Sequence, residues 1–320
     1  MLATRRKPYA LSEAATVAVV APAFAVEPER LACGEAQLAS CGVRVVRRED
    51  LFDRCDYFAG DDRRRETELM DAIRDPDVEG VLCARGGYGC SRILPSLDAA
   101  AVRAAAKPLA GYSDITALLL WQWERAGLVG FHGPMLDREG GLSAPELTAL
   151  VRMLRGQDEE VWLRGEGARE GVAEGFLIGG SLTLLAGSLG TPWEPQTAGS
   201  ILLFEEVGEK PYAIDRMLAQ LRAAGKLDGV VGVGVGHLVE CTDPKRDRPT
   251  AREVIAAAFE PLAIPLVFDL PFGHASPNMP WPLGVSARID GNSGELHILE
   301  PGVTPRESHT RHEEGTTASS

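Results

Sequence analysis

The stretch Pro108-Leu109-Ala110-Gly111-Tyr112-Ser113-Asp114-Ile115-Thr116-Ala117-Leu118-Leu119-Leu120-Trp121 decides how this chain is read. A short apolar run stops at Gly111 and a longer run of helical composition opens at Asp114, so Ser113 stands where a strand turns into a helix. Such a turn lifts a hydroxyl off the top of a sheet. It also sets that hydroxyl beside the free N–H groups of the first helical turn, which can stabilise an oxyanion. A serine here is equally well suited to capping the helix, so the rest of the chain must decide between the two roles.

Outward from this point, short apolar runs alternate with amphipathic ones. Val17–Ala21, Val43–Val46, Val78–Ala84, Pro108–Tyr112 and Leu128–Phe131 read as strands; Glu29–Ser40, Asp62–Arg74, Asp114–Arg125 and Pro145–Arg155 read as helices. This alternation predicts an α/β fold with a mostly parallel sheet, whose functional crevice lies beyond the carboxyl ends of its strands. Arg85-Gly86-Gly87-Tyr88-Gly89 and Ser113 both fall at such ends. Residues 159–171 are polar and Gly-rich and read as a linker between an N-terminal domain, 1–158, and a β-rich one, 172–302. In the second domain Gly175–Gly190, Ile201–Phe204, Val230–Leu238 and Pro265–Asp269 are apolar runs punctuated by glycine. Pro211, the stripe Ile214, Met217, Leu218 and Leu221, and Gly225 mark the start, face and stop of a helix. Residues 303–320 lack periodicity and read as a disordered tail.

At 320 residues and 45% hydrophobic the chain can bury a large core. Its 33 basic and 46 acidic residues give −13, which argues against nucleic acid or an anionic membrane as partner. The six cysteines form no CxxC pair and read as reduced thiols. The six histidines show no HExxH spacing, so no metal site is expected. Arg5-Arg6-Lys7 followed by apolar residues imitates a secretory signal. Thr16-Val17-Ala18-Val19-Val20, short and rich in β-branched residues, reads better as a first buried strand; the protein is expected to be soluble and cytoplasmic. No cofactor is expected either. The turn after that strand, Ala21-Pro22-Ala23-Phe24, has no glycine for a dinucleotide, and Gly232-Val233-Gly234-Val235-Gly236 lies inside a strand-like run where it serves close packing.

A nucleophilic serine needs a base, the base needs an orienting acid, and the oxyanion needs N–H donors. For the base, His274 in Asp269-Leu270-Pro271-Phe272-Gly273-His274-Ala275 lies in a loop after a strand, and His132 in Phe131-His132-Gly133-Pro134 competes with it. For the acid, Ile201-Leu202-Leu203-Phe204 delivers Glu205 and Glu206 to a strand end. Alternation lets only one of them face inward, and the solvated start of a loop suits Glu206. For the oxyanion, Gly86-Gly87 permits close approach and the amide of Asp114 offers a second donor; the Asp114 carboxylate suits the first turn of the helix. The order Ser, Glu, His occurs in α/β-hydrolases, but Ile115 stands where their G-x-S-x-G elbow has its second glycine.

Taken together, Ala84-Arg85-Gly86-Gly87-Tyr88-Gly89, Gly111-Tyr112-Ser113-Asp114-Ile115-Thr116, His132-Gly133-Pro134, Gly179-Gly180-Ser181-Leu182, Phe204-Glu205-Glu206-Val207-Gly208-Glu209, Tyr212-Ala213-Ile214-Asp215-Arg216 and Gly273-His274 resemble the LD-carboxypeptidase family, over residues 16–300. The resemblance implies a Rossmann-like N-terminal domain with a smaller β-rich C-terminal domain, the site between them, and a homodimer. It implies a serine peptidase without metal, with Ser113 as nucleophile, His274 as general base and acid, and Glu205 as its orienting partner. The substrate so implied is the murein tetrapeptide of cell-wall recycling, cut before its terminal D-alanine. A sister branch, the microcin C7 self-immunity peptidases, hydrolyses the amide of a peptide-nucleotide and is the alternative. Ser181 stands where asparagine is usual, and Ala21-Pro22-Ala23 replaces a more polar loop. Arg85 is the candidate for the substrate's terminal carboxylate.

Overall fold

Every strand of the first sheet but one is bought from a βα repeat in the N-terminal half. The computed structural model describes residues 5–306. In chain order it runs β1 (Thr16–Val20), α1 (Pro28–Ser40), β2 (Arg44–Val46), α2 (Asp62–Arg74), β3 (Gly80–Cys83), α3 (Cys90–Ile93), α4 (Ala99–Ala105), β4 (Leu109–Gly111), α5 (Ile115–Trp121), β5 (Phe131–His132) and α6 (Ala144–Leu154). The four short strands β1, β3, β4 and β5 are buried throughout, which is why they read as unbroken apolar runs rather than alternating ones. The expected helix Asp114–Arg125 divides into α5 and a π-helical turn at Gln122–Ala126 that ends on Gly127 at φ 64°.

The second half continues β6 (Val161–Arg164), β7 (Glu166–Arg169), β8 (Val172–Ser181), α7 (Leu182–Gly187), β9 (Ser200–Val207), α8 (Pro211–Ala223), β10 (Gly232–Val239), α9 (Ala251–Phe259), β11 (Leu266–Phe268), β12 (Trp281–Pro282), β13 (Ser286–Asp290) and β14 (Glu295–Ile298). Two sheets result, ordered β12-β5-β4-β3-β1-β2 and β6-β14-β13-β8-β9-β10-β11-β7. In the first, all neighbours are parallel except β12 against β5. In the second, β8, β9, β10 and β11 form a parallel centre flanked by antiparallel strands. The fold is therefore α/β in both lobes, Rossmann-like first and β-rich second.

Three expectations are corrected. Residues 159–171 are no linker: β6 and β7 lie at opposite edges of the second sheet, pairing with β14 and β11. The polar sequence there reflects edge strands exposed on one side, whose side chains face water while the backbone is paired. The second domain is not the contiguous 172–302, because Trp281 and Pro282 pair with His132 and Phe131 in the first sheet. The tail does not begin at 303: Val303 is buried, Thr304 bridges to Tyr9, and the Arg306 guanidinium donates to the Ala10 carbonyl. The remaining tail residues lie outside those described.

Local chemistry explains helices that periodicity alone passes over. Thr250 and Glu253 form a capping box that starts α9, and Asp98 accepts from the amides of Ala100 and Ala101 to start α4. On α8 the buried face Ile214, Met217, Leu218 and Leu221 packs inward, each such side chain being worth about 1.5–3 kcal/mol. The glycines of β10 are there for packing: a Cβ at Gly234 would lie 2.6 Å from both Leu203 and Leu270.

Candidate active site

Ser113 lies two residues past the end of β4 and has φ 61°, a left-handed conformation that is costly for a residue with a Cβ and persists only where its surroundings hold it. Gly111 makes the turn possible, because a Cβ there would fall 2.8 Å from Ile115 Cγ2. In this elbow the small residue precedes the serine by two positions and a bulky Ile115 follows by two, so the second glycine of G-x-S-x-G is not needed.

The structure brings Ser113, His274 and Glu205 together. Ser113 Oγ lies 3.1 Å from His274 Nε2, and His274 Nδ1 lies 2.6 Å from Glu205 Oε2. Three elements meet here: the end of β4, the loop after β11, and β9. Glu205 is fully buried while the His274 side chain is 19% exposed, so the acid is shielded and the imidazole stays reachable. A buried carboxylate on Nδ1 favours the tautomer with hydrogen on that nitrogen, leaving Nε2 free to accept from the serine. Glu205 Oε1 has no hydrogen-bond partner among the described residues. Gly273 leaves the room the carboxylate uses, since a Cβ there would stand 2.8 Å from Oε2.

Glu206 is not solvated, as the loop reading had it, but buried on the opposite side of β9. It accepts from the amide and hydroxyl of Thr183, each at 2.8 Å, and from the Val207 amide at 2.9 Å. It thus caps α7 from outside, where a carboxylate also suits the helix dipole. Burial raises its pKa.

His132, the competing base, lies on β5, fully buried and stacked on Trp281 with centroids 5.0 Å apart. Among the described residues neither of its ring nitrogens has a partner at full hydrogen-bond geometry, Asn278 being the polar side chain beside them. Burial above all, and then the nearby His274, hold its pKa down to about 3, and its nitrogens do not reach the serine.

Gly86 faces the elbow, and Gly87 follows it in the same loop. A Cβ at Gly86 would sit 3.1 Å from Ser113 Oγ and 3.3 Å from the Asp114 nitrogen, and Gly87, at φ 108°, has the Phe24 ring against it. No protein acceptor among the described residues takes the amide of Gly87 or of Asp114. The Asp114 carboxylate does more than charge its own helix: it is buried and accepts from the Cys90 amide at 2.8 Å, tying the glycine loop to the elbow. Burial raises its pKa. Arg85 is drawn toward the buried Asp137 at 3.4 Å and the Ala25 carbonyl at 3.3 Å, with its side chain 36% exposed.

Residues that sequence reasoning passed over hold these parts in place. The Thr116 hydroxyl accepts from the Ser181 amide at 3.0 Å and Gly180 packs on its methyl, so α5 locks to the end of β8 across the lobes. Glu146, from α6, accepts from the Asn278 amide at 2.7 Å, and Asn278 Oδ1 accepts from the Gly273 amide at 2.9 Å, bracing the loop that carries His274. Glu146 also accepts from the Ser143 amide at 2.7 Å at the start of α6, so one carboxylate serves a local cap and a distant loop.

A strained serine elbow, a shielded acid-bound imidazole and two free amides at the junction of two α/β lobes define a serine-type peptide hydrolase. Residues 17–133 match the LD-carboxypeptidase N-terminal domain and residues 174–289 the LD-carboxypeptidase C-terminal domain. The chain is 37% identical over 294 residues to the murein tetrapeptide carboxypeptidase of Pseudomonas aeruginosa, covering 86% of this chain and 93% of that protein. It is 36% identical over 305 residues to the probable murein peptide carboxypeptidase of Bacillus subtilis, covering 93% and 95%. The crystal structure of muramoyltetrapeptide carboxypeptidase from Oxalobacter formigenes superposes with a TM-score of 0.82 at 32% identity, over 91% of this chain and all (100%) of that one. The chain belongs to the LD-carboxypeptidase family.

Proposed function

We propose that this protein is a serine carboxypeptidase that removes the terminal D-alanine from L,D-linked murein tetrapeptides through a Ser113-His274-Glu205 triad and an acyl-enzyme. The observation that carries the reading is the unbroken chain of hydrogen bonds from Glu205 through His274 to Ser113. His274 Nε2 takes the Ser113 proton as Oγ attacks the carbonyl of the diamino-acid residue. The amides of Gly87 and Asp114 hold the oxyanion, and Glu205 stabilises the imidazolium. The imidazolium then returns its proton to the leaving D-alanine amine, and the acyl group stays on Oγ. Water, deprotonated by the same imidazole, releases the tripeptide. The half-exposed Arg85, already oriented by Asp137, binds the terminal carboxylate. The reading includes a homodimer, which the family resemblance implies, and a cytoplasmic location, which the reading of the N-terminal segment as a strand suggests. Murein-acting relatives at 36–37% identity over most of the chain support a cell-wall peptide as substrate. Mass spectrometry of a defined L,D-tetrapeptide is the test. Wild type should release one alanine, and Ser113→Ala should release none while melting normally. Full activity in Ser113→Ala would remove the proposal.

A further inference from the structure

Among the described residues, the His274 imidazole makes two side-chain hydrogen bonds, Nδ1 with Glu205 and Nε2 with Ser113. Both hydrogen bonds lie near the ring plane and tolerate some misalignment, and the terminal torsion of histidine, about Cβ–Cγ, is intrinsically broad. A packing contact against the ring narrows the range of planes that the two bonds leave open.

Tyr112, the residue before the nucleophile, supplies that contact. Its ring centroid lies 5.0 Å from that of His274 with the planes at 62°, an edge-to-face arrangement. Behind Tyr112, the His132 ring stands at 5.8 Å, His132 stacks on Trp281 at 5.0 Å, and Phe272 closes the cluster at 5.5 Å from His132 and 5.7 Å from Trp281. His132, Phe272 and Trp281 are fully buried, so this backing cannot yield easily. The same cluster joins the lobes. Phe272 and Trp281 flank the His274 loop, and Trp281 is anchored in the first sheet by pairing with His132. The Tyr112 hydroxyl has no hydrogen-bond partner among the described residues, which leaves the ring, and not the oxygen, as the working part.

We infer that Tyr112 is a positioning residue that fixes the plane of the His274 imidazole, held in turn by the buried His132–Trp281 stack. The inference rests on the triad reading proposed above. A ring free to roll spends less time with its Nε2 lone pair aimed at Oγ, so proton transfer slows while substrate binding is untouched.

The experiment measures kcat and KM on the L,D-tetrapeptide, and the rate of Ser113 labelling by a fluorophosphonate, in wild type, Tyr112→Phe, Tyr112→Leu and Tyr112→Met, with a melting curve for each. Tyr112→Phe keeps the ring and should stay within about twofold of wild type in every rate. Tyr112→Leu should lower kcat and the labelling rate about tenfold with KM within about twofold, short of the roughly hundredfold that a full 1 Å misplacement costs. Tyr112→Met, flexible and unbranched, stands in if the leucine variant melts early. Wild-type rates in the variants lacking a ring would overturn the inference, as would a phenylalanine variant as slow as leucine. Wild type that labels at Ser113 but releases no alanine would sink the tetrapeptide reading, and the labelling rates would still decide the role of Tyr112.

Discussion

Replacing Gly86 by alanine tests how tightly the elbow is fitted to the loop that faces it. Gly86, unlike Gly87 at φ 108°, is not among the glycines at positive φ, so the alanine backbone is unstrained there. The methyl group is the problem. An ideal Cβ falls 2.9 Å from Ser113 Cβ, 3.1 Å from its Oγ and 3.3 Å from the Asp114 nitrogen. Carbon atoms in ordinary contact stand about 3.5–4.0 Å apart, so Ser113 or the loop must retreat by roughly 0.6–1.1 Å. Oγ starts 3.1 Å from His274 Nε2. A retreat of that size carries the pair past about 3.5 Å, beyond the reach of a hydrogen bond. A displacement of about 1 Å costs on the order of a hundredfold in rate, which corresponds to about 2.7 kcal/mol of barrier. Overpacking should lower stability by about 1–3 kcal/mol, leaving the protein folded. Steady-state hydrolysis of the tetrapeptide and a thermal melt read both effects. Wild-type kcat/KM together with an unchanged melt would refute the reasoning, because it would mean that the elbow and the loop are not in contact.

Two further outcomes follow from the same geometry. Glu205→Gln keeps the shape of the acid but removes the charge beside His274 Nδ1, and an amide NH2 turned toward that nitrogen would impose the wrong tautomer; kcat should fall about 10³–10⁴-fold with normal folding, and a loss under about tenfold, less than 1.4 kcal/mol of barrier, would show that the acid does not orient the base. His132 should make stability pH-dependent. Its folded pKa, about 3, lies below the ordinary 6.5, so the unfolded chain binds more protons in that interval. The stability it contributes is complete above pH 6.5 and is lost as pH falls toward 3. Below about pH 6, wild type should lose up to about 1.4 kcal/mol per pH unit more than His132→Phe in urea unfolding, and parallel slopes would contradict the burial argument.

Much of the first lobe is legible from local pattern, because strands buried on both faces are apolar throughout and the helices between them carry their own starts and stripes. The elbow is legible for the same reason: glycine, serine and the helix are neighbours in the chain. Edge strands are less so. β6 and β7 are polar because one flank is solvated, and composition there resembles a linker until the partner strands β14 and β11 are known. Glu206 illustrates the limit at a single residue. Alternation correctly opposes it to Glu205, but the opposite side of β9 is covered by the start of α7, and only packing reveals that.

By itself, then, the sequence determined the alternating α/β plan, the strained turn at Ser113, and the residue types available as base and acid. These depend on neighbours in the chain, where propensity and side-chain period act directly. Which histidine meets the serine was decided by tertiary structure. Residues 281–282 cross from the second lobe to complete the first sheet, burying His132 under Trp281 and turning the preceding loop so that His274 reaches Oγ. That pairing joins segments about 150 positions apart, and no local preference encodes it, because its stability comes from burying aromatic surface that each segment exposes when alone.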